Sequence, residues 1–163
     1  MDLTPYQRTE QLVIEAAPDA LYDLVADVAR MGEWSPVCTG GEYDADGQWF
    51  TGHNRIGRTT WSTRCRVAVA DRGREFTFVN YGLDGTFEMV RWGFLLRATS
   101  PTTTEVTQTW EVLPGYVDGF AAEGPEAGEL KDRLDFMKAM AERGMPETLE
   151  SIRQAAERAT ADE

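Results

Sequence analysis

FTGHNRIGRTTW, residues 50–61, decides how the middle of this chain is read. It holds the sole histidine, His53, beside Asn54, Arg55 and Arg58, with two glycines inside and an aromatic residue at each end. As a set of polar side chains it suggests a catalytic site. As a run of threonine, isoleucine and aromatics broken by glycine, it suggests two strand pieces and the crossing between them. What flanks it favours strands.

On either side lie EYDADGQWF, TRCRVAVA, REFTFVN, TFEMVRWGFLL and TEVTQTWEV, all short and rich in β-branched and aromatic residues. Asp46-Gly47, Asp71-Arg72-Gly73 and Asp84-Gly85 separate them, each supplying a glycine for positive φ. Cys65, Val67 and Val69 alternate with Arg64 and Arg66, Phe76 and Phe78 with Glu75 and Thr77, and Val106 and Trp110 with Glu105, Thr107 and Thr109. Such alternation means an antiparallel meander with one buried and one wet face. By the same rule Arg91 points outward if Val90, Trp92 and Phe94 point inward.

Before the meander, residues 6–15 read as a strand feeding a helix. Pro18 suits the first helical turn, and Leu21, Leu24, Val25 and Val28 recur at helical spacing. Arg30-Met31-Gly32 breaks that helix, and Trp34-Ser35-Pro36 reads as a turn or second short helix. After the meander, Pro114-Gly115 ends the strands and residues 118–128 read as a mobile connection. Leu130, Leu134, Met137 and Met140 form one apolar stripe and Leu149, Ile152 and Ala156 another. Gly144 is expected to close the first of these helices and Pro146 to open the second, with 160–163 a frayed tail. The expectation is one α+β domain over 1–163: about seven antiparallel strands curved around a long C-terminal helix, with two short helices after strand 1.

A net charge of −12, spread along the chain, disfavours nucleic acid and anionic membranes as partners. No apolar run approaches the roughly 20 residues of a spanning helix, and no secretory leader is evident, so a cytoplasmic protein is expected. Cys38 and Cys65 fit no CxxC pattern and read as free, buried thiols. One histidine and two separated cysteines make no zinc site, and no nucleotide-cofactor motif occurs, so neither metal nor cofactor is expected.

IEAAPDALYDLVAD, EWSPV, GQWFTGHNRIGRTTW, GREFTFV, VRWGF, TEVTQTWEV and GMPETLESIRQAAE, in this order and spacing, resemble the polyketide cyclase/dehydrase branch of the START-like (SRPBCC) superfamily. The resemblance covers residues 8–158. It implies a helix-grip fold with a deep pocket between sheet and last helix, holding a small hydrophobic or aromatic ligand that is polyketide-, lipid- or steroid-like. It leaves the chemistry open, because superfamily members include cyclases, carriers, receptors and co-chaperones.

The residues narrow this only in part. His53 has the right chemistry for a proton carrier, but no acidic partner lies within its own stretch, and it occupies a variable position of the aromatic-x-Gly-x-Asn-Arg motif. Asn54 and Arg55 match that motif; strand geometry and a surface ion pair compete with ligand contact as their role. The expected lining of the pocket is Trp34, Phe50, Trp61, Cys65, Phe76, Phe78, Trp92, Phe94, Trp110, Met137, Met140, Met145 and Leu149, with core packing as the competing reading. Gln108 joins them because alternation puts it beside Val106 and Trp110, where a buried amide needs a partner. Binding of a small hydrophobic molecule by a monomer or homodimer is the first functional reading. A cyclase/dehydratase using Gln108 or His53 is the alternative, and a co-chaperone or toxin–antitoxin partner the second alternative.

Overall fold

The computed structural model describes residues 1–81, 84–122 and 127–162. Strand β1 (Gln7–Ile14) leads into helix α1 (Pro18–Val25) and a 3-10 turn (Val28–Glu33). The meander follows: β2 (Cys38–Tyr43), β3 (Trp49–Ile56), β4 (Thr59–Asp71), β5 (Glu75–Asn80), β6 (Val90–Ser100) and β7 (Thr103–Val112). Helices α2 (Pro114–Ala122) and α3 (Ala127–Ala161) complete the chain. The seven strands form one antiparallel sheet in the order β1-β7-β6-β5-β4-β3-β2. This is the helix-grip arrangement.

FTGHNRIGRTTW is the β3–β4 hairpin. Residues 49–56 pair with 59–66 in continuous register, and Gly57 turns the corner at φ 60°. Gly47, Gly73 and Gly85 all have positive φ, as the Asp-Gly signals require. Gly73 is held closest: a Cβ there would lie 2.3 Å from Oδ1 of Asp19. The same turn carries Arg72, which pairs with Asp19 and Asp23 and ties the β4–β5 hairpin to α1.

Pro18 does open α1, and Leu21, Leu24, Val25 and Val28 are buried. Two boundaries differ from expectation. Residues 118–122, placed above in a mobile connection, belong to α2, whose Tyr116 and Phe120 are buried against the end of the sheet; residues 123–126 of that connection lie outside the described residues. Nor do Gly144 and Pro146 divide the C-terminal helix. Pro146 has no N–H to give the Glu142 carbonyl, and an interior proline costs about 3 kcal/mol. Leu134, Met145, Leu149 and Ile152, each at most 2% exposed, lie on one stripe spanning both sides of it. Each contributes about 1.5–3 kcal/mol, so together they outweigh the proline. Gly144 serves close packing instead, since a Cβ there would stand 3.2 Å from Pro36. Of the expected frayed tail, 160 and 161 are still helical, the Thr160 hydroxyl bonds back to the Ala156 carbonyl at 3.1 Å, and 163 lies outside the described residues.

Helix α3 follows β1 in the same direction. Tyr6 donates to Asp135 at 2.8 Å near one end, and the Glu15 amide to Glu157 at 3.4 Å near the other. No helix among the described residues is long and apolar enough to cross a membrane.

Candidate functional site

The strand register assigns the face beneath α3. One row crosses the sheet through Phe50, Cys65, Asn80, Val90 and Val112; the next through Val67, Phe78, Trp92, Trp110 and Arg8. A third runs through Phe76, Phe94, Gln108 and Glu10. These rows form the concave face. Its rings touch in sequence: Phe50 and Phe78 are 5.1 Å apart, Phe78 and Phe76 5.8 Å, and Trp92 and Trp110 6.4 Å.

Buried side chains on this face fall into two clusters. One gathers Trp34, Phe50, Cys65, Phe76, Phe94 and Leu149, with Phe78 and Val67 half-buried against it. The other gathers Trp110 and Met145, with Trp92 and Met137 half-buried. Gln108 lies on the seam, because its strand neighbours Val106 and Trp110 belong to different clusters. It is only 4% exposed, and its Oε1 is a buried acceptor without a hydrogen-bond partner among the described residues. Two expected lining residues stand apart. Trp61 is 39% exposed near the β3–β4 turn, and Met140 is half-buried beside the Arg143 guanidinium on α3.

Arg8 and Glu10 complete the surroundings of Gln108. Glu10 is its cross-strand partner, and Arg8 donates to the Glu10 carboxylate through Nε at 2.9 Å and also through Nη2. Neither was assigned a face above. The signal was present: they share parity with Leu12 and Ile14, and Ile14 is fully buried.

His53 faces the other way. With Phe50 and Asn54 turned inward, its ring lies on the convex face, where Nε2 meets both Glu42 oxygens at 2.8 and 2.9 Å and Nδ1 meets the Ser62 hydroxyl at 2.9 Å. The acidic partner missing from its own stretch is thus supplied by β2. Asn54 pairs with Cys38 at the irregularity of β2, and its amide approaches the Thr63 hydroxyl at 3.5 Å. Arg91 also faces out, paired with Glu111 at 2.8 Å. A satellite of Trp49, Val79, Tyr81 and Leu113 covers part of the convex face, with the Arg64 guanidinium 5.3 Å from the Trp49 ring.

Burial sets the remaining titrations near the concave face. It pushes the Cys65 thiol up to about 12 and raises that of Cys38, so both are protonated at neutral pH. It likewise pushes Tyr43 up to about 12, and its hydroxyl donates to the Ala26 carbonyl at 2.6 Å. No group of three or more His, Cys, Asp or Glu among the described residues could hold a metal ion. Depressions among the described residues include one of about 510 Å3 bordered by Leu3, Gln7, Val112 and Val117, and one of about 350 Å3 bordered by Tyr116, Phe136 and Met137.

Residues 7–157 match the family described as polyketide cyclase / dehydrase and lipid transport. The chain belongs to this family. A similar structure is that of a Polyketide_cyc-like protein from Corynebacterium glutamicum, 30% identical over 93% of this chain and 91% of that one, with a TM-score of 0.65. A START superfamily protein from Mycobacterium smegmatis shares the fold at 14% identity and a TM-score of 0.67, covering 94% of this chain and 98% of that one. So does the Zhui aromatase/cyclase from Streptomyces sp. R1128, at 18% identity and a TM-score of 0.66 over 94% of both chains. No curated protein matched the chain.

Proposed function

We propose that this family member binds a small apolar or aromatic molecule against the concave face, beside α3 and over Phe78 and Trp92. The observation that carries this reading is the seam. Helix α3 packs on β1 and β7, while on the strands beyond Val67 and Phe78 remain half-buried against one cluster and Trp92 against the other. Aromatic surface in a concave face stacks on flat ligands, and a few polar groups then fix their orientation. The family description, with both cyclase/dehydrase and lipid transport in it, supports an apolar ligand and leaves turnover open.

Trp92 provides the readout. Aromatic polyketides, steroids and fatty acids should be screened by thermal shift and by quenching of tryptophan fluorescence. A member of the panel is expected to raise the midpoint and quench, and Trp92→Leu to weaken its binding by roughly tenfold, the loss of about 1.5 kcal/mol of ring contact. A flat response across the whole panel would overturn the proposal.

A further inference from the structure

We infer that the end of the β3–β4 hairpin docks on a membrane surface of anionic lipid, with Ile56 and Trp61 against the acyl boundary and Arg55 and Arg58 among the headgroups. Taken whole, the net charge of −12 opposes such a contact. That charge is unevenly spread at this one place. Residues 47–70 contain no Asp or Glu, the longest such run in a chain that has 28 of them, and they carry four arginines. Arg64 and Arg66 are paired with Asp44 and Glu88, whereas Arg55 and Arg58 have no ion pair among the described residues. The acids of β2 and of the 3-10 turn packed on it, Glu42 and Glu33, are engaged by His53 and Arg30. The hairpin end is therefore a basic spot on an acidic molecule.

The fold leaves this end uncovered and sorts its side chains. Pairing of β3 with β2 stops at Asn54, and pairing of β4 with β5 begins only at Cys65. Residues 55–60 thus pair with one another, apart from the Arg55 amide, which donates to the Val37 carbonyl at 2.9 Å. Every residue from Arg55 to Trp61 is exposed, and a Cβ at Gly57 would meet nothing within 4 Å. Ile56 and Trp61 share the parity of Phe50 and Cys65 and lie on one face, each 39% exposed. Arg55 lies on the other face and Arg58 at the turn. Apolar side chains flanked by arginines suit a lipid interface, where the apolar groups leave water and the guanidinium groups stay at the level of the phosphates. A free phosphate would match the arginines alone and leave Ile56 and Trp61 in water. At physiological salt, charges farther than about 8 Å from the lipid plane are largely screened, so the acids elsewhere on the molecule repel it weakly.

The test is sedimentation of the whole protein with vesicles of phosphatidylcholine alone, or of equimolar phosphatidylcholine and phosphatidylglycerol, at physiological salt. Binding to the anionic vesicles is expected, and little to the neutral ones. Arg55→Gln or Arg58→Gln is expected to weaken it about fivefold, the worth of one cation at an anionic surface. Trp61→Ser is expected to weaken it as well. Arg74→Gln, which changes another exposed arginine on the β4–β5 turn, is expected to leave it unchanged. All four positions are exposed, and circular dichroism verifies that each variant is folded. Equal sedimentation with both kinds of vesicle, or with neither, would overturn the inference. So would anionic binding that persists undiminished in Arg55→Gln and Arg58→Gln, that Arg74→Gln weakens as much, or that Trp61→Ser leaves as it was. Self-association that the same arginine variants abolish, without vesicle binding, would give the surface to a second copy of the chain and also overturn it.

Discussion

Replacing Gln108 by methionine should make the protein more stable, against the usual direction of core substitutions. The side chain is 4% exposed and its Oε1 has no partner among the described residues. An amide oxygen held in that state costs about 1–3 kcal/mol relative to one that is paired. Methionine has a side chain of the same length with one heavy atom fewer, removes the orphaned acceptor and adapts to irregular packing beside Val106, Trp110 and Phe94. Allowing for imperfect repacking, the expected gain is about 1–2 kcal/mol. For a domain of this length that corresponds to a rise of roughly 2–8 °C in thermal midpoint. Differential scanning fluorimetry gives the midpoint, and urea denaturation with an unchanged slope confirms that folded-state stability moved. A midpoint that falls by several degrees would refute the reasoning, since it would mean that the Gln108 amide holds the fold together. Proteins that keep an unfavourable group in a concave face commonly do so for function.

Three further outcomes follow from other parts of the molecule. Gly73→Ala forces a Cβ onto a residue at φ 81° and to within 2.3 Å of the Asp19 carboxylate; a loss of about 1–2 kcal/mol is expected, read as a lower urea midpoint. Ion pairing with Arg153 holds Glu150 down from its ordinary 4.5 to about 2, and Arg72 and Arg64 lower Asp23 and Asp44 in the same way. The folded state therefore binds fewer protons than the unfolded one in acid. Stability should be fully present above pH 5 and decline between about pH 4.5 and 2, as a falling circular-dichroism midpoint across that window shows. Because burial raises both thiols, Cys38 and Cys65 should react slowly with a disulfide reagent at pH 7.5, the half-exposed Cys38 faster than the buried Cys65; rapid labelling of Cys65 in the native protein would contradict its burial.

The sheet was legible because alternation and turn chemistry are local. Phe76, Phe78, Val106 and Trp110 point as their parity demands, and Gly47, Gly73 and Gly85 turn where aspartate-glycine pairs signal. What local rules misplace is decided by tertiary packing. Gly144 and Pro146 have the character of a helix end and start, yet one buried stripe carries α3 straight through them. Helix α2 escapes a reading by composition because its glycine- and alanine-rich residues are held only by Tyr116 and Phe120 reaching the sheet. At the candidate site, parity places Gln108 correctly on the concave face. It is silent on which rings form one cluster and which another, because that depends on where α3 crosses the sheet. His53 shows the converse: its partner Glu42 sits eleven residues away and meets it only through the β2–β3 register.

A crystal structure of the protein soaked with 1-naphthol tests the concave-face site most directly. The ring should lie against Trp92 and Phe78, with ring centroids about 4.5–7 Å apart. A ring seated instead in the depression of Tyr116, Phe136 and Met137 would contradict it, as would a concave face filled only by its own side chains.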